Sequence, residues 1–402
     1  MLCMAEAPWL TIVGLGEDGL NGLSEASRDA LARAEIVMGA ARHLALLPEV
    51  QCEVIEWPVP FADGIPQLLA RRGARMVALA SGDPFWFGAG TSITRHLHPG
   101  EWVALPAPSS FALAASRLGW PLEQVVCLGL HAAPLARLRP HLAPGARLIV
   151  LLRDGSAVGE VAAYLTRLGF DDSRLHVLEA LGGPRERVRQ ATAQACALED
   201  VAHPVALGLE VAGGGAALGC VPGRADDLFA HDGQITKRAV RALTLAALAP
   251  RAGARLWDIG TGSGSVAIEW LLAHPRNTAI GFEADPLRAD RARLNARDLG
   301  VDHLQVIAAR APEGLADQPP PDAVFIGGGL SEDLLTALWQ IVPQGVRVVA
   351  NAVTLESEAL LTQWQARAGG TLTRIELAQA GALGRKRGWQ SAYPIVQWST
   401  MR

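Results

Sequence analysis

The segment Asp258-Ile-Gly260-Thr261-Gly262-Ser-Gly264-Ser265 puts one carboxylate at the end of an apolar run, with three glycines behind it. Glycines at this spacing let a chain turn sharply from strand to helix and let its backbone approach a ligand. Dinucleotide enzymes use a similar turn, so the carboxylate has to discriminate. A pyrophosphate wants amide donors with no acid beside them, whereas Asp258 suits a ligand ammonium. Glu283 ends the next apolar run, where a carboxylate can accept from both hydroxyls of a ribose. A nucleoside carrying an amino-acid tail satisfies both acids.

The N-terminal half offers a second set. Gly14-x-Gly16-x-x-Gly19 follows the apolar run Trp9–Val13 and would pass as a dinucleotide turn. Glu17 and Asp18 inside it oppose a phosphate. Ser81-Gly82-Asp83-Pro84 and Pro108-Ser109-Ser110 close two further apolar runs. Asp83 reads either as a ligand-binding acid or as a turn residue before Pro84. His96-x-His98 has no carboxylate or cysteine nearby and reads as a surface pair. Cys3, Cys52, Cys127, Cys196 and Cys220 lie far apart and read as reduced, isolated thiols, so no metal is expected. No spacing suggests a Ser-His-Asp or Cys-His arrangement, and the scattered tryptophans read as core or cleft walls.

These turns need strands and helices to hold them. In the first half the strands are Trp9–Val13, Met76–Ala80, Trp102–Leu105 and Arg147–Leu152, with Ser24 capping a helix. In the second half Thr236 is expected to cap a helix with Val240, Leu243, Ala247 and Leu248 on one face. Strands follow at Arg255–Ile259, Thr278–Glu283, Leu304–Ala308, Asp322–Ile326 and Val346–Ala350, with a helix over Val266–Ala273 between the first two. Pro286 sits in the first turn of the next helix. Thr371–Ala378 and Tyr393–Trp398 read as two final strands with no helix between them. Strands alternating with helices, then an antiparallel pair, make both halves α/β. Two domains are expected, 8–212 and 221–402, with the boundary in the glycine- and proline-bearing segment His203–His231.

Composition narrows the function classes. Half of the 402 residues are hydrophobic, so a core is easily filled. No apolar stretch approaches the roughly 18 residues of a membrane span. Met1–Pro8 lacks the basic start of a signal peptide, so a cytoplasmic protein is expected. The net charge is −4, with no basic stripe for a nucleic acid. Arginine supplies all but two of the 36 basic side chains, the exceptions being Lys237 and Lys386, as a GC-rich genome would produce.

The two acids and the glycine turn together favour S-adenosylmethionine, whose methionine part carries the ammonium. Gln234-Ile-Thr236-Lys237, Leu256 through Ser265, Ala311-Pro312-Glu313, Asp322 through Gly329 and Asn351 resemble the C-terminal component of the decarboxylating precorrin-6Y methyltransferases of cobalamin biosynthesis. Val13-Gly14-Leu-Gly16, Ser81 through Phe85, Pro108 through Phe111 and Leu130-His131 resemble the tetrapyrrole methylase component of the same fused enzymes. The resemblance implies a tetrapyrrole methylase (class III methyltransferase) fold followed by a class I Rossmann-like fold with a seven-stranded sheet. It implies one S-adenosylmethionine site per domain. Asp258, Gly260, Thr261, Gly262, Gly264, Ser265, Glu283, Thr236 and Ala311 would bind the cofactor in the second domain; Gly82, Asp83, Ser109 and Ser110 would bind it in the first. Lys237 and Asn351 would be catalytic, although Lys237 reads equally as a solvated side chain. Arg385 and Arg387 are candidates for carboxylates of the substrate or simply solvated loop charges. Relatives usually carry an acid after the third strand, where this chain has Ala309-Arg310, so adenine contacts would fall to the backbone. The expected partner is a precorrin, with no nucleic acid and no membrane, and the expected assembly is a homo-oligomer. An RNA methyltransferase would need a basic face that the composition does not suggest. An inactive tetrapyrrole-binding scaffold would not need Asp258 and Glu283.

Overall fold

The computed structural model describes residues 8–48 and 51–402, so Cys3 and most of the N-terminal segment read above lie outside the described residues. The chain divides into two compact units. One comprises the residues up to Ala133 with His141–Ala216, and the other Pro134–Pro140 with Ala217–Arg402. The sequence reading did not anticipate that the short piece at 134–140 groups with the second unit.

The first unit holds two five-stranded sheets. In one, β1 (Leu10–Leu15), β2 (Ile36–Gly39), β3 (Glu53–Glu56), β4 (Met76–Ser81) and β5 (Trp102–Leu105) run parallel in the order β3-β2-β4-β1-β5. Parallel strands covered on both faces read as near-continuous apolar runs, as β1, β2 and β4 do. The other comprises β6 (Val126–Gly129), β7 (Arg147–Leu151), β8 (Arg174–Glu179), β9 (Arg187–Thr192) and β10 (Val205–Glu210), ordered β6-β7-β10-β8-β9. Only β6 and β7 pair in parallel there. The Ser24 hydroxyl accepts from the Ser27 amide and caps the helix Glu25–Arg33 as expected.

The second unit is built on a seven-stranded sheet. Its strands are β11 (Arg255–Ile259), β12 (Thr278–Phe282), β13 (Gln305–Ile307), β14 (Ala323–Ile326), β15 (Arg347–Ala352), β16 (Thr371–Ile375) and, after a separate hairpin of β17 (Ala378–Leu383) and β18 (Lys386–Ser391), β19 (Ile395–Met401). The order is β13-β12-β11-β14-β15-β19-β16, with only β19 antiparallel to its neighbours. The sheet therefore ends in the antiparallel pair expected. What lies between the pair was missed: Gly384, in the left-handed region at φ +60, reverses the chain and closes the β17–β18 hairpin.

Strand alternation decides which way each side chain of β11 points. Trp257 and Ile259 enter the core cluster that contains Leu334, Leu338 and Trp398, whereas Leu256 enters the one formed with the helix Ser265–Ala273. Asp258 shares the face of Leu256 and so points toward the start of that helix. Strand order reverses between β12 and β14 around β11, and the crevice beyond the strand ends at such a switch point is where α/β sheets bind ligands.

One capping assignment is corrected. The helix Arg238–Leu248 has Lys237 at its N-cap, with extended backbone and no side-chain capping bond, instead of Thr236. The Arg241 guanidinium grips the Thr236 carbonyl and holds that residue outside the helix.

Candidate functional sites

The crevice of the second unit is a cavity of about 960 Å³. Thr236, Lys237, Asp258, Gly260, Thr261, Gly262, Ser265, Glu283, Ala311 and Asn351 all line it. Gly264 does not. A Cβ there would lie 3.1 Å from the Ala292 Cβ, and φ is +79°, so this glycine lets the loop pack on the helix Pro286–Asp298.

Asp258 is buried. Its Oδ2 accepts from the Ala267 amide at 3.1 Å, capping the helix from the strand side, and its Oδ1 is buried with no hydrogen-bond partner. Burial pushes this carboxyl up to about 7; the Ala267 amide opposes the rise and the charge on Glu283 adds to it. An unpaired buried carboxylate oxygen is costly until a cation reaches it. Glu283 is held differently: the Gly262 amide donates to one oxygen at 2.8 Å and the Asp285 amide to the other at 3.0 Å. Each carboxylate oxygen can accept more than one bond, so the capacity to take hydroxyls remains. The residues present are therefore chemically suited to a ligand such as S-adenosylmethionine, which carries an ammonium for a buried unpaired acid and ribose hydroxyls for an acid with free acceptor capacity.

The floor between them is backbone. Gly260 has φ +70, and a Cβ there would meet the Cα and amide nitrogen of Gly328 at 2.6 Å. The two glycine loops touch: Gly260 cannot take a side chain without displacing Gly328, whereas a Cβ on Gly328 would make only ordinary contact, 3.6 Å from the Gly260 Cα. The Thr261 hydroxyl donates to the Asp258 carbonyl at 2.6 Å and closes the turn. Arg310, three residues beyond the end of β13, lines the cavity.

Asn351 lines the cavity with its amide already engaged, donating to Thr244 Oγ1 at 2.9 Å and accepting from Gln397 at 3.0 Å. Thr244 and Gln397 are buried. Lys237 is exposed and has no ion pair among the described residues.

Sequence reading missed what holds this loop. Glu269, fully buried, accepts from the amides of Gly223 and Arg224 at 2.7 and 3.0 Å and from Arg241 Nε at 2.6 Å. The same guanidinium reaches Asp226 at 3.0 Å and lies over the Phe229 ring. Buried Asn295 similarly donates to the carbonyls of Ala230 and Ser263. The available signal was a lone acid in the apolar run Val266–Ala273.

The first unit has a cavity of about 550 Å³, lined by Gly82, Asp83, Ser109 and Ser110 among others. Ser109 caps the helix Ser110–Leu118 by accepting from the Ala112 amide at 3.1 Å. Asp83 accepts from the Phe85 amide at 2.8 Å, so it is the turn residue of one reading and also lines the cavity required by the other. Gly82 has φ +49, with the Pro108 carbonyl 2.8 Å from where a Cβ would stand, which brings the two turns together. Arg385 and Arg387 are exposed on the β17–β18 hairpin, and His96 and His98 are exposed in the first unit. Among the described residues no group of three His, Cys, Asp or Glu could hold a metal, and no helix is long and apolar enough to cross a membrane.

Comparison with known proteins places both units. Residues 9–197 match the family of tetrapyrrole (corrin/porphyrin) methylases and residues 227–402 the precorrin methyltransferase domain. The chain is 48% identical over 398 residues to a precorrin-6Y C(5,15)-methyltransferase (decarboxylating) from Sinorhizobium sp, covering 98% of this chain and 96% of that one. It is 40% identical over 402 residues to the protein of the same description from Mycobacterium tuberculosis strain H37Rv, covering 98% and 100%. The crystal structure of the C-terminal domain of precorrin-6Y C5,15-methyltransferase from Rhodobacter capsulatus is 54% identical, covers 46% of this chain and 100% of its own, and has a TM-score of 0.45.

Proposed function

Because the chain belongs to the decarboxylating precorrin-6Y C5,15-methyltransferases of cobalamin biosynthesis, we propose that its two cavities each take one S-adenosylmethionine and divide the chemistry between them. On this reading precorrin-6B is methylated at carbons 5 and 15 and loses carbon dioxide from its ring C acetate, giving precorrin-8. The first unit acts at carbon 5. The second acts at carbon 15 and decarboxylates. The observation that carries the reading for the second unit is the buried, unpartnered Oδ1 of Asp258 at the head of a glycine turn.

S-adenosylmethionine, when bound, supplies a methyl group on a sulfonium for in-line displacement by an electron-rich substrate carbon. The protein's part is alignment and water exclusion. Asp258 holds the ammonium, Glu283 the ribose, and the Gly260 and Gly328 backbones leave room beside them. Ile375, Leu377, Tyr393 and Ile395 give the same cavity an apolar wall. Lys237, at a helix N-terminus whose dipole also favours anions, is suited to a substrate carboxylate. Asn351 is fixed by Thr244 and Gln397, so any contact it makes with substrate is preset. In the first unit Ser109, Ser110 and the Gly82-Asp83 turn supply backbone donors and one acid for the second cofactor.

The test is calorimetry of the full chain with S-adenosylhomocysteine. Two binding equivalents are expected, with one lost in Asp258→Ala and the other in a variant that fills the first cavity, Ser109→Trp. A single equivalent in folded wild-type protein would contradict the two-site reading.

A further inference from the structure

Three parallel strands of the second unit end level with one another, in the order β13-β12-β11, with Ile307, Phe282 and Ile259 in register. Each strand end offers the cavity a different chemistry. Asp258 lies on β11, and Glu283 stands one residue past β12. Ala309, Arg310 and Ala311 follow β13 and line the same cavity. Neighbouring strands lie about 4.8 Å apart, so the row spans roughly 10 Å. A nucleoside with an amino-acid tail has its three parts in the same linear order. With the ammonium at Asp258 and the ribose at Glu283, the base falls at the end of β13.

That third position holds no acid. Among the described residues Asp258 and Glu283 are the only carboxylates lining the cavity, and the ammonium and the ribose take both. Arg310 is exposed. Its carbonyl accepts from the Glu313 amide at 3.0 Å, which fixes the backbone, while its side chain has no hydrogen bond or ion pair among the described residues. Arg288, the other guanidinium on this cavity, is committed to Asp232 at 2.8 Å. Lys237 begins the helix whose Thr244 bonds Asn351 on β15, on the far side of β11. Arg310 is therefore the cation left for the base. A guanidinium donates and never accepts. It cannot take a proton from the 6-amino group of adenine, but it can donate to N7, and it pairs through two bonds with a purine that has oxygen at position 6. A carboxylate at the same place would do the reverse.

We propose that Arg310 is the base-reading residue of the second cavity, donating to the acceptor atoms of the purine, so that this site does not select for the 6-amino group of its cofactor. This rests on the reading that S-adenosylmethionine occupies this cavity, and it names the side chain that sets specificity at the base. The base end also suits a cation better than the methionine end, where a guanidinium would oppose the sulfonium's own charge.

The Ser109→Trp protein, with its first cavity filled, isolates the second site in the full chain. Calorimetry then compares S-adenosylhomocysteine with S-inosylhomocysteine, which carries oxygen in place of the amino group. With Arg310 present, the inosyl ligand should bind within about threefold of the adenosyl ligand, or more tightly. Arg310→Glu, made in the same protein, exchanges donors for an acceptor. It should shift the ratio of the two dissociation constants about tenfold or more toward the adenosyl ligand, because the group at position 6 then meets an acceptor. The melting temperature should stay nearly unchanged, since the side chain removed has no partner in the fold. A residue acting through folding or overall charge would move both affinities together. A ratio that Arg310→Glu leaves unmoved, with both ligands still binding, overturns the proposal and leaves the cofactor reading intact. If neither ligand binds the folded Ser109→Trp protein, the cofactor reading of the second cavity fails and the proposal falls with it.

Discussion

Asp258 should make cofactor binding in the second unit depend on pH in a range where free aspartate would not. Its carboxyl is held up at about 7 because it is buried, with Oδ1 unpartnered and Glu283 nearby. The ligand ammonium pairs with the ionised form only, so binding must first remove a proton wherever the acid is protonated. With a pKa near 7, ionisation rises from about a tenth at pH 6 to about three quarters at pH 7.5, and affinity should rise about eightfold, or about 1.2 kcal/mol. Folding shows the opposite sign. The folded-state pKa lies above the unfolded one, so the stabilisation of the ligand-free domain is complete below pH 4 and is lost as pH rises through 7. Asp258→Asn can keep the Ala267 cap through its amide oxygen while removing the charge; it should therefore melt higher than wild type at pH 8 and bind S-adenosylhomocysteine worse. Calorimetry at pH 6.5 in buffers of different ionisation enthalpy reads the effect directly, because most of one proton should be released per ligand bound at this site. Equal affinity at pH 6 and 7.5, with no dependence of the heat on buffer, would refute the role given to Asp258.

Lys237→Arg keeps the charge but replaces a compact ammonium with a planar fork, so it should leave cofactor affinity intact and slow decarboxylation at least tenfold, about 1.4 kcal/mol of barrier. Wild-type rates of carbon dioxide release would remove Lys237 from the mechanism. Gly260→Ala adds a methyl 2.6 Å from the Gly328 backbone at φ +70, so titration should show loss of S-adenosylhomocysteine binding at this site. Glu269→Ala leaves Arg241 buried without its main partner and should cost about 3–5 kcal/mol in denaturant unfolding of the second unit. A loss below 1 kcal/mol would show that the network adds little.

The parts of the site that sequence made legible are those where one residue's neighbours in space are also its neighbours in sequence. Asp258, Gly260 and Ser265 belong to one strand–turn–helix, and Glu283 ends the adjacent strand, so spacing alone brings them together. Strand periodicity also located the main sheet, with ends shifted by up to three residues. What sequence could not supply were partners set by tertiary packing. Thr236 fits a cap by composition, yet Arg241 and the distant Glu269 decide that Lys237 takes that position. Asn351 reads as a free catalytic amide until Gln397, brought beside it by the antiparallel β19, engages it. Gly264 looks like its neighbours in the motif, yet it lies outside the cavity lining and against Ala292, a neighbour that only the fold supplies. In the first unit Glu17 is an acid in an apparent phosphate loop, and only folding brings Arg42 and Arg185 onto it.

The division of labour is the central claim, and the mass of the product tests it most directly. Full-length protein given precorrin-6B and labelled S-adenosylmethionine should yield a product with two added methyl groups and one carbon dioxide fewer. The Asp258→Ala protein should stop at one added methyl group, with every carboxylate retained. A doubly methylated or decarboxylated product from that variant, folded and lacking cofactor at the second site, would contradict the account.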